Sequence, residues 1–302
     1  MLGCGVDGFR NEALRSALRN AVGGKRTALE ELLMRHGGLP GPSPNLKLAA
    51  AFGAEIGLIP ESTHRLLTDF GDEPSPQESP RAFLPVAAAY GWTAQLRSGR
   101  DVEVAWSGVL EIAADSRRPV RLGMIAALRE LCSTGEAADA LVAHAVEWLE
   151  HEDVAIRFSA SAVVLEVLTD SHVMGAVRDL DGFLAYVSHG IDMVTDASRS
   201  AERLEGRRRM LTSLSSLTAA MAKQLRAADR GADWLAAECE RAKHPDVRAA
   251  LSQALLTLAK SNVPRGTVER LRKVLEASAK PLRDHARVRP GTGRGRKTRT
   301  IR

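Results

Sequence analysis

The chain of 302 residues is 44% hydrophobic but only 4% aromatic, and its formal charge is +5. Prominent alanine and leucine with so few aromatic residues argue against a sheet-rich fold and set an all-helical expectation. No stretch approaches the roughly 18 uninterrupted apolar residues of a membrane span, and the opening "MLGCGVDGFRNEALR" lacks the basic-then-apolar plan of a signal peptide. A cytoplasmic protein without membrane contact is therefore expected.

In chain order, the first clear unit is "GPSPNLKLAAAFGAEIG" (41–57), an apolar helical stripe with Asn45 as candidate N-cap. Next comes "ESPRAFLPVAAAYGW" (78–92), where Ser79 serves as N-cap and Pro80 as first helical residue. Then follow "RRPVRLGMIAALREL" (117–131), "HEDVAIRFSASAVVLEVL" (151–168), "GRRRMLTSLSSLTAAMAKQL" (206–225) and "HPDVRAALSQAL" (244–255). The clearest copies share a turn-former, a valine, an arginine and an apolar stripe, which makes them copies of one unit.

The reference arginines Arg81, Arg121, Arg157, Arg209 and Arg248 are separated by 40, 36, 52 and 39 residues. Three of these steps lie near the period of a two-helix repeat, and the long one is assigned to a polar insertion, "SHGIDMVTDASRS" (188–200). Lys47 holds the arginine's place in the first copy, which makes about six units. Each arginine-bearing helix follows another amphipathic segment, such as "VEVAWSGVLEIAA" (102–114), "EAADALVAHAVEWLE" (136–150) and "GADWLAAECERA" (231–242). One hairpin cannot bury its apolar face alone, whereas stacked hairpins form a continuous core.

This pattern resembles the HEAT-like repeats of the armadillo-type superhelix. The resemblance covers about residues 11–279 and implies an α-solenoid of about six helical hairpins over residues 1–279. It also implies that first helices form a convex side and second helices a concave one. In such repeats an arginine early in the second helix hydrogen-bonds an acidic or carbonyl group in the turn between the helices. Arg121, Arg157 and Arg248 are the ladder candidates, with Asp115, Asp153 and Asp246 as placed partners.

No constellation of catalytic groups stands out. "HEDVA" (151–155) begins like H-E-x-x-H, but Ala155 stands where the second metal ligand is needed. His144 and His151 have no spaced carboxylate and read as surface residues. Deoxyhypusine hydroxylase, a HEAT-like enzyme, uses repeated His-Glu dipeptides, of which His151-Glu152 is the sole example here. The alkylpurine DNA glycosylases, also HEAT-like, use tryptophans in a cationic cleft; Trp106, Trp148 and Trp234 sit at the register of first helices and are expected to pack between layers. Cys4, Cys132 and Cys239 show no C-x-x-C spacing, so neither metal nor disulfide framework is expected. No cofactor is expected either. The loops "HGGLPGPSPN" (36–45) and "GDEPSPQESP" (71–80) lack phosphate-loop spacing and read as helix punctuation.

Charge is unevenly distributed. Residues 280–302 hold nine basic residues against Asp284, a net of +8, so the preceding 279 residues carry −3. The end of this tail, "RPGTGRGRKTRTIR" (289–302), cannot bury a core and is expected to be disordered alone. Arg289, Arg294, Arg296, Lys297, Arg299 and Arg302 are its candidate phosphate contacts. "GRGRK" (293–297) resembles the core of an AT-hook, with Lys297 where that motif has proline. The expected function is a non-catalytic scaffold that binds a protein partner along its concave face. The alternative is nucleic-acid binding through the tail, including a repair protein similar to the alkylpurine DNA glycosylases.

Overall fold

The computed structural model describes residues 4–59, 62–198, 200–224, 228–261 and 263–278, with side chains at 4–11, 202, 219 and 222–229 set aside. All regular structure among these residues is helical. The order is α1 (Cys4–Val22), α2 (Thr27–His36), α3 (Leu46–Leu58), α4 (His64–Gly71), α5 (Phe83–Arg97), α6 (Val102–Ala113), α7 (Arg118–Leu131) and α8 (Gly135–Trp148). It continues with α9 (Val154–Leu168), α10 (Ser171–Ala176), α11 (Leu180–Asp196), α12 (Glu205–Gln224), α13 (Ala228–Arg241), α14 (Pro245–Leu258) and α15 (Arg265–Ala277).

Helix starts follow the local chemistry. The Asn45 side chain accepts from the Leu48 N–H at 3.2 Å, and its amide also donates to the His36 carbonyl at 3.0 Å, closing the loop before α3. Ser79 accepts from the Arg81 N–H at 3.2 Å and starts a 3-10 turn, Pro80–Ala82, that runs into α5. Asp153 caps α9 by accepting from Ala155 N–H at 2.7 Å, and the His244 ring accepts from Asp246 N–H at 3.2 Å at the start of α14. Apart from the Asn45–His36 bond, each of these occupies a backbone amide in the first turn of a helix.

The helices bearing the repeated motif stack in chain order: α3 packs on α5, α5 on α7, α7 on α9, α9 on α12 and α12 on α14. Behind them, α4 packs on α5 and α6, α8 on α9 and α11, and α13 on α15. The stack has an uneven surface. Every residue of α5 from Phe83 to Gln95 is buried, and so are Ala160 to Leu165 in α9. Over these stretches both helices are largely apolar on all sides, and a helical segment of that kind must be covered on all sides.

Small residues allow this sinking. A side chain at Gly53 would meet the Tyr90 carbonyl oxygen at 2.7 Å, and one at Gly123 would meet Val86 at 2.8 Å, so α3 and α7 both close tightly on α5. α3 and α7 also touch each other. Gly206 plays the same part for α12, whose backbone closes on Phe158 and Ser159 of α9.

The polar insertion expected at 188–200 is corrected by the structure. Residues 188–196 are the second half of α11, because Val187, Ile191 and Val194 form a buried helical stripe. The extra length of that repeat goes into the additional short helix α10 and the 17-residue α11.

Tightness at Gly206 yields a test against an open position. A Cβ at Gly206 would lie 2.7 Å from backbone atoms of α9, whereas a Cβ at Gly266 meets nothing within 4 Å. Gly206→Ala is expected to lower stability by about 1–3 kcal/mol, and Gly266→Ala to raise it by about 0.5 kcal/mol. Urea midpoints of the two variants check both signs.

Candidate functional site

Of the three ladder candidates, Arg121 and Arg248 each reach the turn before their own helix, and their remaining partners differ. Arg121 donates to the Ser116 carbonyl in the turn before α7 and to Glu205 Oε1 at the start of α12, at 2.8 Å. Arg248 donates to the Ala242 carbonyl at 3.1 Å, to Ser278 Oγ at 2.6 Å and to the Leu275 carbonyl. Arg157 keeps its Nε buried without a hydrogen-bond partner among the described residues.

The three aspartates have other duties. Asp115 binds Arg117 through both carboxylate oxygens, with a shortest distance of 2.6 Å, rather than Arg121. Asp153 caps its own helix. Asp246 accepts from Arg207 Nη1 at 2.8 Å, a guanidinium only 2% exposed, instead of from Arg248. Backbone geometry explains the exchange: a short aspartate beside the turn reaches the nearest amide or guanidinium, while the longer arginine reaches the carbonyls.

Three helices meet at the densest cluster. Arg209 of α12 donates to Glu166 Oε1 of α9 at 2.8 Å, and Arg129 of α7 donates to the Glu166 carbonyl at 2.7 Å. The Arg121–Glu205 pair joins α7 to α12 across α9, so the sunken helix is bridged by charge. Burial first, then the neighbouring Arg209 charge, hold the Arg121 guanidinium below its ordinary value. Beside this cluster lies a recess of about 270 Å³ lined by Glu166, Thr169, Arg209, Thr212, Ser213 and Ser216. Leu122, on the α7 turn that carries Arg121, is exposed.

Sequence reading missed the acidic members. Glu166 is the sole charged residue in the apolar run from Phe158 to Leu168, and such an isolated carboxylate was the available signal. Glu205 carried none, since its partner is 84 residues away.

Trp106, Trp148 and Trp234 lie in the other layer, whereas Trp92 belongs to α5. Trp106 packs edge-on to Trp148 with ring centroids 6.1 Å apart, and His144 stacks on Trp106 at 4.6 Å. Both tryptophans are buried, while the half-buried Trp234 donates its indole N–H to Ser188 Oγ at 2.8 Å. His151 accepts from the Asp153 N–H at 3.0 Å in the turn before α9. Burial pushes the Cys132 thiol up to about 12 and the Cys239 thiol to about 11, so both stay protonated at neutral pH. No group of three or more His, Cys, Asp or Glu side chains suited to a metal ion occurs among the described residues, nor any helix long and apolar enough to cross a membrane. The tail candidates Arg289, Arg294, Arg296, Lys297, Arg299 and Arg302 lie outside the described residues. No family model matches the chain, nor does any curated protein or solved structure.

The Arg207–Asp246 pair is open to a direct test, because taking the half-exposed counter-charge from a covered guanidinium costs more than replacing that cation by an apolar side chain. Asp246→Ala leaves the covered guanidinium without its counter-charge and is expected to cost about 2–3 kcal/mol. Arg207→Met is expected to be close to neutral. Denaturant unfolding of both variants decides, and a larger loss for Arg207→Met would contradict the assignment.

Proposed function

We propose that the chain is a non-catalytic binding scaffold, a HEAT-like solenoid of the armadillo-type superhelix that holds a protein partner along the face built by its second helices. The observation that carries this reading is the chain-order stacking of α3, α5, α7, α9, α12 and α14 with a second layer of helices behind them. Stacks of this kind present an elongated surface in which neighbouring units contribute side by side.

Within that surface, the cluster of Arg121, Arg129, Glu166, Glu205 and Arg209 is the favoured contact. It combines charged groups of both signs, the recess beside Arg209 and the exposed Leu122. A partner docking there exchanges ion pairs within the scaffold for ion pairs across the interface, which makes association fast and sensitive to salt.

Affinity purification of the full chain followed by chemical cross-linking tests this reading. Cross-links to the partner are expected on α7, α9 and α12; Arg209→Ala together with Thr212→Trp is expected to release it, and deletion of 280–302 to leave it bound. A complex lost on that deletion and untouched by the double variant would reject it.

The net charge of +8 in residues 280–302 favours a second reading, in which the tail grips nucleic acid through phosphate contacts. Duplex DNA binding measured by fluorescence anisotropy is then expected to weaken with a log–log salt slope of about −0.9 per phosphate contacted. Salt-independent binding would reject an electrostatic grip.

A further inference from the structure

A feature separate from the second-helix face lies at the far end of the stack. A half-open pocket of about 310 Å³ is lined by α12, α13, α14 and α15, with Met221, Trp234, Leu235, Leu258 and Leu271 among its walls. Its volume is twice the roughly 150 Å³ that holds benzene in an engineered apolar cavity, and it reaches the lower end of the range of small-molecule sites. Elsewhere helices pack so closely that a Cβ at Gly53, Gly91, Gly108, Gly123 or Gly206 would strike a neighbouring helix at under 3 Å. A mostly apolar, half-open pocket of this size against such a core is a place for a ligand.

The cavity has one polar side. The Trp234 indole N–H is already donated to Ser188, and the Thr218 hydroxyl to the Leu214 carbonyl, so both present apolar surface. Arg270 borders the pocket, 57% exposed, and its one ion pair among the described residues is a 3.3 Å contact to an exposed Asp233. An ion pair of that kind is weak and readily exchanged. The first turn of α15, with Gly266 and Thr267 on the wall, has no capping side chain, and the dipole of the helix adds to the positive potential from Arg270.

We propose that this cavity binds a small amphipathic carboxylate, its apolar body of about ten carbons or fewer, by proportion to benzene, between α12, α13 and α15 and its carboxylate on Arg270. Asp233 is the group displaced from the guanidinium.

Calorimetric titration of the full chain with octanoate, 1-octanol and octylamine tests the assignment. Octanoate is expected to bind one per chain and more tightly than the alcohol or the amine. Arg270→Gln is expected to weaken octanoate about tenfold and leave octanol unchanged. Ala232→Trp, which fills the cavity, and Thr267→Trp, which blocks its opening without entering the core, are both expected to abolish binding. Absence of saturable octanoate binding to the parent chain, or binding that survives both tryptophan variants, overturns the site. Octanol binding as tight as octanoate and indifferent to Arg270→Gln overturns the carboxylate class.

Discussion

Every helix ends with carbonyls that have no partner inside it, and a protein built almost entirely from short helices has many such ends. Here arginine meets that need repeatedly. Arg100 donates to the Gly57 carbonyl at the end of α3 at 2.8 Å, Arg117 to the Glu73 and Ser75 carbonyls beyond α4, and Arg129 to Glu166 in the last turn of α9. Arg248 joins the end of α13 to the end of α15. A planar guanidinium carries donors in several fixed directions, so one side chain serves two helices at once; a lysine ammonium lacks that fork. Each such charge-assisted bond contributes roughly 1.5–3 kcal/mol where it is shielded and less where it is wet. Together they hold the spacing between successive units.

Apolar packing then decides how deeply each helix sits. α5 and α9 carry apolar residues on every side and sink, while α7 and α12 keep a charged edge and stand proud. The glycines at 53, 123 and 206 are where backbones approach. What emerges along these stacked helices is a mixed-charge seam over α9 instead of an apolar groove. Covered tryptophans and high-pKa thiols fit structural roles, since Trp106 and Trp148 fill the layer behind and Cys132 is sealed in it.

Much of the scaffold was legible in the chain. Asn45, Ser79 and Asp153 cap the helices they precede, and the motif arginines Arg121, Arg157 and Arg248 each stand fourth in their helix. Such features act over a few residues, and local chemistry sets them. The polar stretch at 188–200 misled because sparse apolar residues at helical spacing, Val187, Ile191 and Val194, outweigh surrounding polarity once a neighbouring layer buries them.

Sequence alone determined the helical class and where several helices begin, because propensity, capping and periodicity are properties of neighbouring residues. Which carboxylate meets which arginine was decided only by the tertiary structure. Arg121 and Glu205 are 84 residues apart, Arg209 and Glu166 are 43, and Asp246 passes over Arg248 for Arg207. Side-chain reach across packed helices depends on how far α5 and α9 sink between their neighbours. No short-range pattern encodes that depth, and the charged seam and the cavity beside Trp234 both follow from it or from the packing around it.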